Sequence, residues 1–155
     1  KTFNIAGAHT GNVIIEAAAP RARFRAVQRA AATAPNALGV QMATAGVGDG
    51  DDWLDALVDY LDGNRKLFDA GINAIPGLRS MPLQATYRAW VDFSGTGMSH
   101  AEYAARIEKT AKIAANHGAT FGKGGETWMR FNFATPRSRV EEAVRRPSAV
   151  ASDQR

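Results

Sequence analysis

The chain has 155 residues, with 45% hydrophobic and 22% charged, the balance of an ordinary globular protein with room for one domain or two partial ones. It has no cysteine, which excludes disulfides, thiolate chemistry and cysteine-ligated metals; it also lacks an apolar run of the roughly 18 residues that a membrane span needs. The net charge is +4, but only Arg21, Arg23, Arg25 and Arg29 cluster, on a helix with few interleaved aromatics, so a solvated helix face explains them better than a nucleic-acid surface.

In chain order, Asn12–Ile15 ends in β-branched residues and predicts a short strand after a glycine-punctuated loop. Residues 20–31 predict a helix with Pro20 in its first turn. Residues 36–46, rich in small residues with Leu38, Met42 and Ala45 at helical spacing, predict a well-buried helix. Leu54, Leu57, Val58, Leu61, Phe68 and Ile72 then mark a long helix over about 52–75, capped by Asp51 and Asp52 and stopped by Pro76-Gly77. Gly63 weakens its centre; the alternative is two helices broken at residues 62–64.

After Pro76 the pattern becomes α+β. Residues 85–93 alternate as a strand, with Tyr87, Ala89, Val91 and Phe93 on one face. Ser99-His100-Ala101-Glu102 is a capping box that opens a helix reaching to Gly118, with His117 in its last turn. Residues 119–125 predict a short strand and a glycine turn. Phe121-Gly-Lys-Gly-Gly125 is followed by a strand and lacks the full phosphate-loop pattern. Residues 127–133 predict a strand, and Thr135-Pro136 a helix start that Pro147 cuts short, leaving a mobile tail from residue 148.

The strand at 127–133 is the most informative segment. Met129, Phe131 and Phe133 make a core face, while Trp128, Arg130 and Asn132 share the other. A mid-strand arginine sheds hydration unless paired, so Arg130 is a candidate for an anionic ligand; the alternatives are an internal carboxylate partner or an exposed edge. His9, His100 and His117 show no metal-ligand spacing, and no metal is expected. His9 stands in the loop after Lys1. No serine-hydrolase elbow occurs.

Five ordered stretches carry a resemblance over nearly the whole chain to about Arg146: Lys1-Thr-Phe-Asn-Ile-Ala-Gly; Asn36-Ala-Leu-Gly; Trp53-Leu-Asp-Ala-Leu with Tyr60-Leu61 and Asn64; Ala85-Thr-Tyr-Arg-Ala-Trp-Val-Asp; and Phe121-Gly followed by Met129-Arg-Phe-Asn-Phe-Ala-Thr-Pro-Arg-Ser. Together they resemble the fold-type I pyridoxal-phosphate enzymes, in the cystathionine β-lyase (MalY/PatB-type C–S lyase) branch of the class I and II aminotransferase family. The resemblance implies an α/β fold-type I chain: residues 1–62 as the end of the large cofactor-binding domain, residues 63–155 as the small C-terminal α+β domain, and the long helix bridging them.

It further implies that Lys1 is the catalytic lysine that holds pyridoxal 5'-phosphate, with Thr2 near the phosphate. Arg130 grips the substrate carboxylate, and Asn132 and Tyr87 stand in the same substrate-binding motifs. The implied activity is a carbon–sulfur β-lyase on a cysteine-derived amino acid, with an aminotransferase, or a non-catalytic fragment or basic binding module, as the alternatives. A cytoplasmic homodimer without nucleic-acid or membrane partners is expected. Starting at Lys1, without the family's serine-containing residues, ring-pairing acid and ring-stacking aromatic, the chain alone is expected to be incomplete as a catalyst. Arg88 departs from the aliphatic residue expected in its strand motif.

Overall fold

The computed structural model describes residues 2–152, with side chains to residue 147. Contacts divide the chain into two compact units, Lys1–Leu57 and Val58–Arg155. The first carries helices α1 (Ala18–Ala30) and α2 (Ala37–Asp49). Asn36 starts α2 by accepting from the Gly39 N–H at 2.7 Å, and its own amide donates to the Ala8 carbonyl, tying the N-terminal loop to the helix. Gly46 and Gly50 leave space for the Phe3 ring, which stacks on Trp53 at 6.1 Å. Arg21, one of the clustered arginines, folds back to donate to the Ile15 and Glu16 carbonyls.

Two expectations fail in this unit. Residues 12–15 form no strand, and Ile14 is 88% exposed. A strand needs a ladder partner, and the first unit offers none among its described residues. Helix α2 is not buried either: Leu38, Val40, Met42 and Val47 are all exposed, and Gly39 is its one buried residue. Small apolar side chains set its helical spacing, but no second layer within the unit covers them.

Helix α3 (Asp51–Asn73) runs unbroken through Gly63, so the two-helix alternative falls. Asp51 and Asp52 occupy its first turn, where they favour the dipole rather than cap it. In the second unit a four-stranded antiparallel sheet has the order β1-β2-β4-β3, from β1 (Arg79–Ser80), β2 (Arg88–Asp92), β3 (Asn116–His117) and β4 (Trp128–Asn132). Ala89, Val91 and Phe93 on one strand and Met129, Phe131 and Phe133 on the other share the buried face, as alternation predicts, with Tyr87 packed at its margin. Phe68 of α3 sits 5.7 Å from Phe131 and 6.2 Å from Phe133. Val140 closes the core from α5 (Arg137–Ser152).

The N-cap half of the capping box forms, with the Ser99 hydroxyl accepting from the Glu102 N–H, and opens α4 (His100–Ala105), while the Glu102 carboxylate pairs with Arg106. The helix then widens into one π turn over Arg106–Thr110 and ends where Lys112 turns left-handed, six residues before Gly118. His117 therefore lies in β3 rather than in a last helical turn. Its Nε2 stands 2.8 Å from Glu108 and its Nδ1 3.0 Å from Nε2 of His100. Residues 118–121 form a 3₁₀ turn instead of a strand; the glycine turn follows, with Gly122 and Gly124 at positive φ. Helix α5 runs through Pro147, which does not cut it short. Its first N–H is satisfied by the Tyr60 hydroxyl at 2.7 Å rather than by Thr135. Of the tail expected to be mobile, residues 148–152 continue α5 and 153–155 lie outside the described residues.

Candidate active site

The face of the sheet opposite the core is set by β2–β4 register. Arg88 lies opposite Asn132, Trp90 opposite Arg130, and Asp92 opposite Trp128. Neighbouring positions on this face are two residues apart on each strand, so the face presents two guanidiniums, two indoles, an amide and a carboxylate.

Arg130 is held at two points. Its Nη2 donates to Asn116 Oδ1 at 3.0 Å, and its guanidinium lies 4.3 Å over the Phe121 ring. The 3₁₀ turn and glycine bend present Phe121, which meets Trp90 edge-on at 5.5 Å; Trp90 in turn stacks on Trp128 at 5.8 Å. No carboxylate among the described residues pairs with Arg130, which rules out the internal ion pair as its explanation there. Partial burial, and then the nearby Arg88 charge, pull its pKa below the usual arginine value. An arginine remains charged under such a shift, so this face holds a fixed cation with no carboxylate partner among the described residues.

Asn132 shares this face but is exposed, and its Oδ1 accepts from the Ala134 N–H at 2.9 Å, bending the chain out of β4. Tyr87 lies on the core side, where its carbonyl accepts from the Phe133 N–H at 3.1 Å, so the structure does not bring it beside Arg130. Thr2 is exposed in a turn of the first unit and donates to no described residue. Lys1 lies outside the described residues. His9 is exposed, with a left-handed backbone. Among the described residues no cluster of His, Asp or Glu suits a metal ion, and no helix is long and apolar enough to cross a membrane.

Two residues that hold the arginine, Asn116 and Phe121, were not legible as site residues. Asn116 reads as part of a helix, and Phe121 as the first residue of a tight turn. An aromatic side chain beside a glycine run was the one available signal.

Asp92, at the far end of the same face, is already engaged. It accepts from the Ser94 N–H at 2.9 Å and the Thr127 hydroxyl at 3.1 Å, and pairs with Arg79 at 3.4 Å. Burial pushes its pKa up, but the Ser94 and Thr127 hydrogen bonds and Arg79 outweigh that and hold it below the ordinary carboxylate value.

The antiparallel sheet thus carries on its open face an arginine with no carboxylate partner among the described residues. The chain belongs to the class I and II aminotransferase family, whose family model matches residues 1–146, and its fold is that of the fold-type I pyridoxal-phosphate-dependent enzymes. It is 35% identical to cystathionine beta-lyase PatB of Bacillus subtilis over 98% of this chain and 40% of that protein, and 30% identical to protein MalY of Escherichia coli over 93% and 38%. The crystal structure of cystalysin from Treponema denticola, which contains a pyridoxal 5'-phosphate cofactor, superposes with a TM-score of 0.89 at 27% identity, covering 99% of this chain and 40% of that one. The chain thus spans about 40% of the length of the relatives it matches.

Proposed function

We propose that this chain contributes the reactive amine and the substrate-carboxylate grip of a pyridoxal-phosphate-dependent carbon–sulfur β-lyase. The observation that carries the reading is the half-buried Arg130 guanidinium, aimed by Asn116 and Phe121 and without a carboxylate partner among the described residues. Its fork binds the α-carboxylate of an amino acid through two parallel N–H bonds and so fixes the rotation of the α-carbon. Asn132 borders the same face; Tyr87 supports it from the core side.

The donor set suits the cofactor at two points: a primary amine on Lys1, which condenses with an aldehyde when deprotonated, and the exposed Thr2 hydroxyl, a donor to a phosphate oxygen. When bound, pyridoxal phosphate supplies an electron sink for charge developing at the substrate's α-carbon. The Lys1 amine takes the proton from that carbon and can return a proton to it. Loss of the thiolate from the β-carbon and addition of one water give thiol, pyruvate and ammonia from an S-substituted cysteine.

The relatives named for cystathionine lysis support this chemistry over transamination. Residues 1–62 are read as the end of a large domain and 63–155 as the small domain, with α3 bridging them; the contact division after Leu57 lies close to that boundary. A cytoplasmic homodimer completes the reading.

The test is pyruvate release from cystathionine by the purified intact protein with pyridoxal phosphate and no keto acid, together with borohydride reduction and peptide mapping. Pyruvate release and one cofactor adduct on Lys1 support the lyase. Turnover that strictly requires a keto-acid acceptor would make it an aminotransferase. Absence of any adduct at Lys1 would overturn the catalytic reading.

A further inference from the structure

The β2–β4 register leaves Arg88 unexplained. It lies opposite Asn132, and Arg130 is two residues before Asn132, so the two arginines are diagonal neighbours on one sheet face, roughly 7–8 Å apart. Both are half-buried. The Arg88 charge is close enough to disfavour the charged form of Arg130. Neither guanidinium meets a carboxylate among the described residues, and the acid on this face, Asp92, is committed to Ser94, Thr127 and Arg79. Like charges facing each other across a strand pair destabilise a sheet unless an anion joins them. An aliphatic side chain at position 88 would avoid that repulsion.

We infer that Arg88 is a second anion-recognition residue, and that the substrate's side chain ends in a carboxylate beyond the β-carbon. The inference rests on the reading that Arg130 takes the α-carboxylate. One substrate then offers two anions, one to each guanidinium, and binding neutralises both charges of the repelling pair. Amino acids with a neutral side chain satisfy Arg130 alone and leave Arg88 unpaired. Arg88 so determines which cysteine conjugates are accepted, favouring those with a carboxylate on the sulfur substituent.

Calorimetric titration of the holoenzyme with two amino acids that share a six-carbon chain and carry no β-leaving group tests this. 2-Aminoadipate has the distal carboxylate, and norleucine replaces it with a methyl group. The wild type is expected to bind 2-aminoadipate about tenfold or more tightly than norleucine, the size of one charge-assisted contact. Arg88→Leu is expected to abolish that preference while leaving norleucine affinity within about twofold, which also shows that the variant is folded. Arg88→Lys is expected to keep part of the preference. A preference that survives unchanged in Arg88→Leu, or no preference in the wild type, overturns the inference and leaves the lyase reading standing. Failure of both amino acids to bind overturns the underlying reading and this inference with it.

Discussion

Arg137 and Asn64, 73 residues apart in sequence, are joined by a 3.0 Å hydrogen bond from Nε to Oδ1. The bond belongs to a clamp that fixes the end of β4 against α3. Asn64 is fully buried and its amide donates to the Phe133 and Thr135 carbonyls at 3.0 and 2.9 Å. Arg137 also donates to the Tyr60 carbonyl and lies 4.7 Å over the Tyr60 ring. The strand that carries Arg130 is thereby anchored just beyond its last residue.

Replacing Asn64 with alanine takes the partner from the Thr135 carbonyl and from one guanidinium N–H, and leaves the Phe133 carbonyl with only the Thr135 N–H. Each buried polar group left unsatisfied costs roughly 1–3 kcal/mol. A clear fall in the urea midpoint at unchanged slope is expected for Asn64→Ala, and a midpoint that does not move would refute the clamp.

Gly63 explains why the long helix tolerates a glycine at its centre. A Cβ there would meet the Arg137 guanidinium, which two hydrogen bonds, to Asn64 Oδ1 and the Tyr60 carbonyl, hold in place. Alanine in mid-helix is normally worth about 1 kcal/mol over glycine. Gly63→Ala is therefore expected to give no gain, or a loss, in the wild type, and a gain approaching that amount in an Arg137→Ala background. A double-mutant cycle measures this, and additive effects would sink the explanation.

The long-range partners in this clamp mark where sequence reading stops. Alternation exposed the two faces of β4, and so Arg130, because strand periodicity is local. The capping box at Ser99 was legible for the same reason. Nothing local reveals that Asn64 reaches Phe133 or that Asn116 holds Arg130, since those partners come together only through sheet register. Ala111 and Ala114 continue a helical spacing, so the sequence predicts a longer helix after Ser99 than the one that forms. The π turn and the left-handed Lys112 end it without a glycine or proline. Residues 12–15 have strand composition, but composition carries no information about a missing ladder partner.

Asp92 gives a pH dependence of stability. Its carboxyl is held below the ordinary value of 3.8 in the folded chain. A depressed folded pKa contributes stability that is present above the unfolded value and lost as pH falls through the folded one. The difference in unfolding free energy between wild type and Asp92→Asn should stay constant from neutral pH down to roughly pH 4 and shrink below it. A difference that is flat down to pH 2 would contradict the assignment.

Asn116 accepts from Arg130 without neutralising it. Asn116→Asp would place a carboxylate in the same position and occupy the fork. It is expected to raise the KM for amino-acid substrates about tenfold or more, the range of a charge-assisted hydrogen bond, with less effect on kcat. Asn116→Ala, which frees the fork but loosens its aim, should raise KM less. Equal KM in Asn116→Asp and wild type would show that Arg130 does not bind the substrate.

The role of Arg130 is most directly tested by titrating the holoenzyme with norleucine and with norleucinamide, which differ only in the α-carboxylate. The wild type should bind the acid about tenfold or more tightly than the amide, and Arg130→Ala should bind the two alike. A preference for the acid that persists in Arg130→Ala would place the carboxylate site elsewhere and contradict the account.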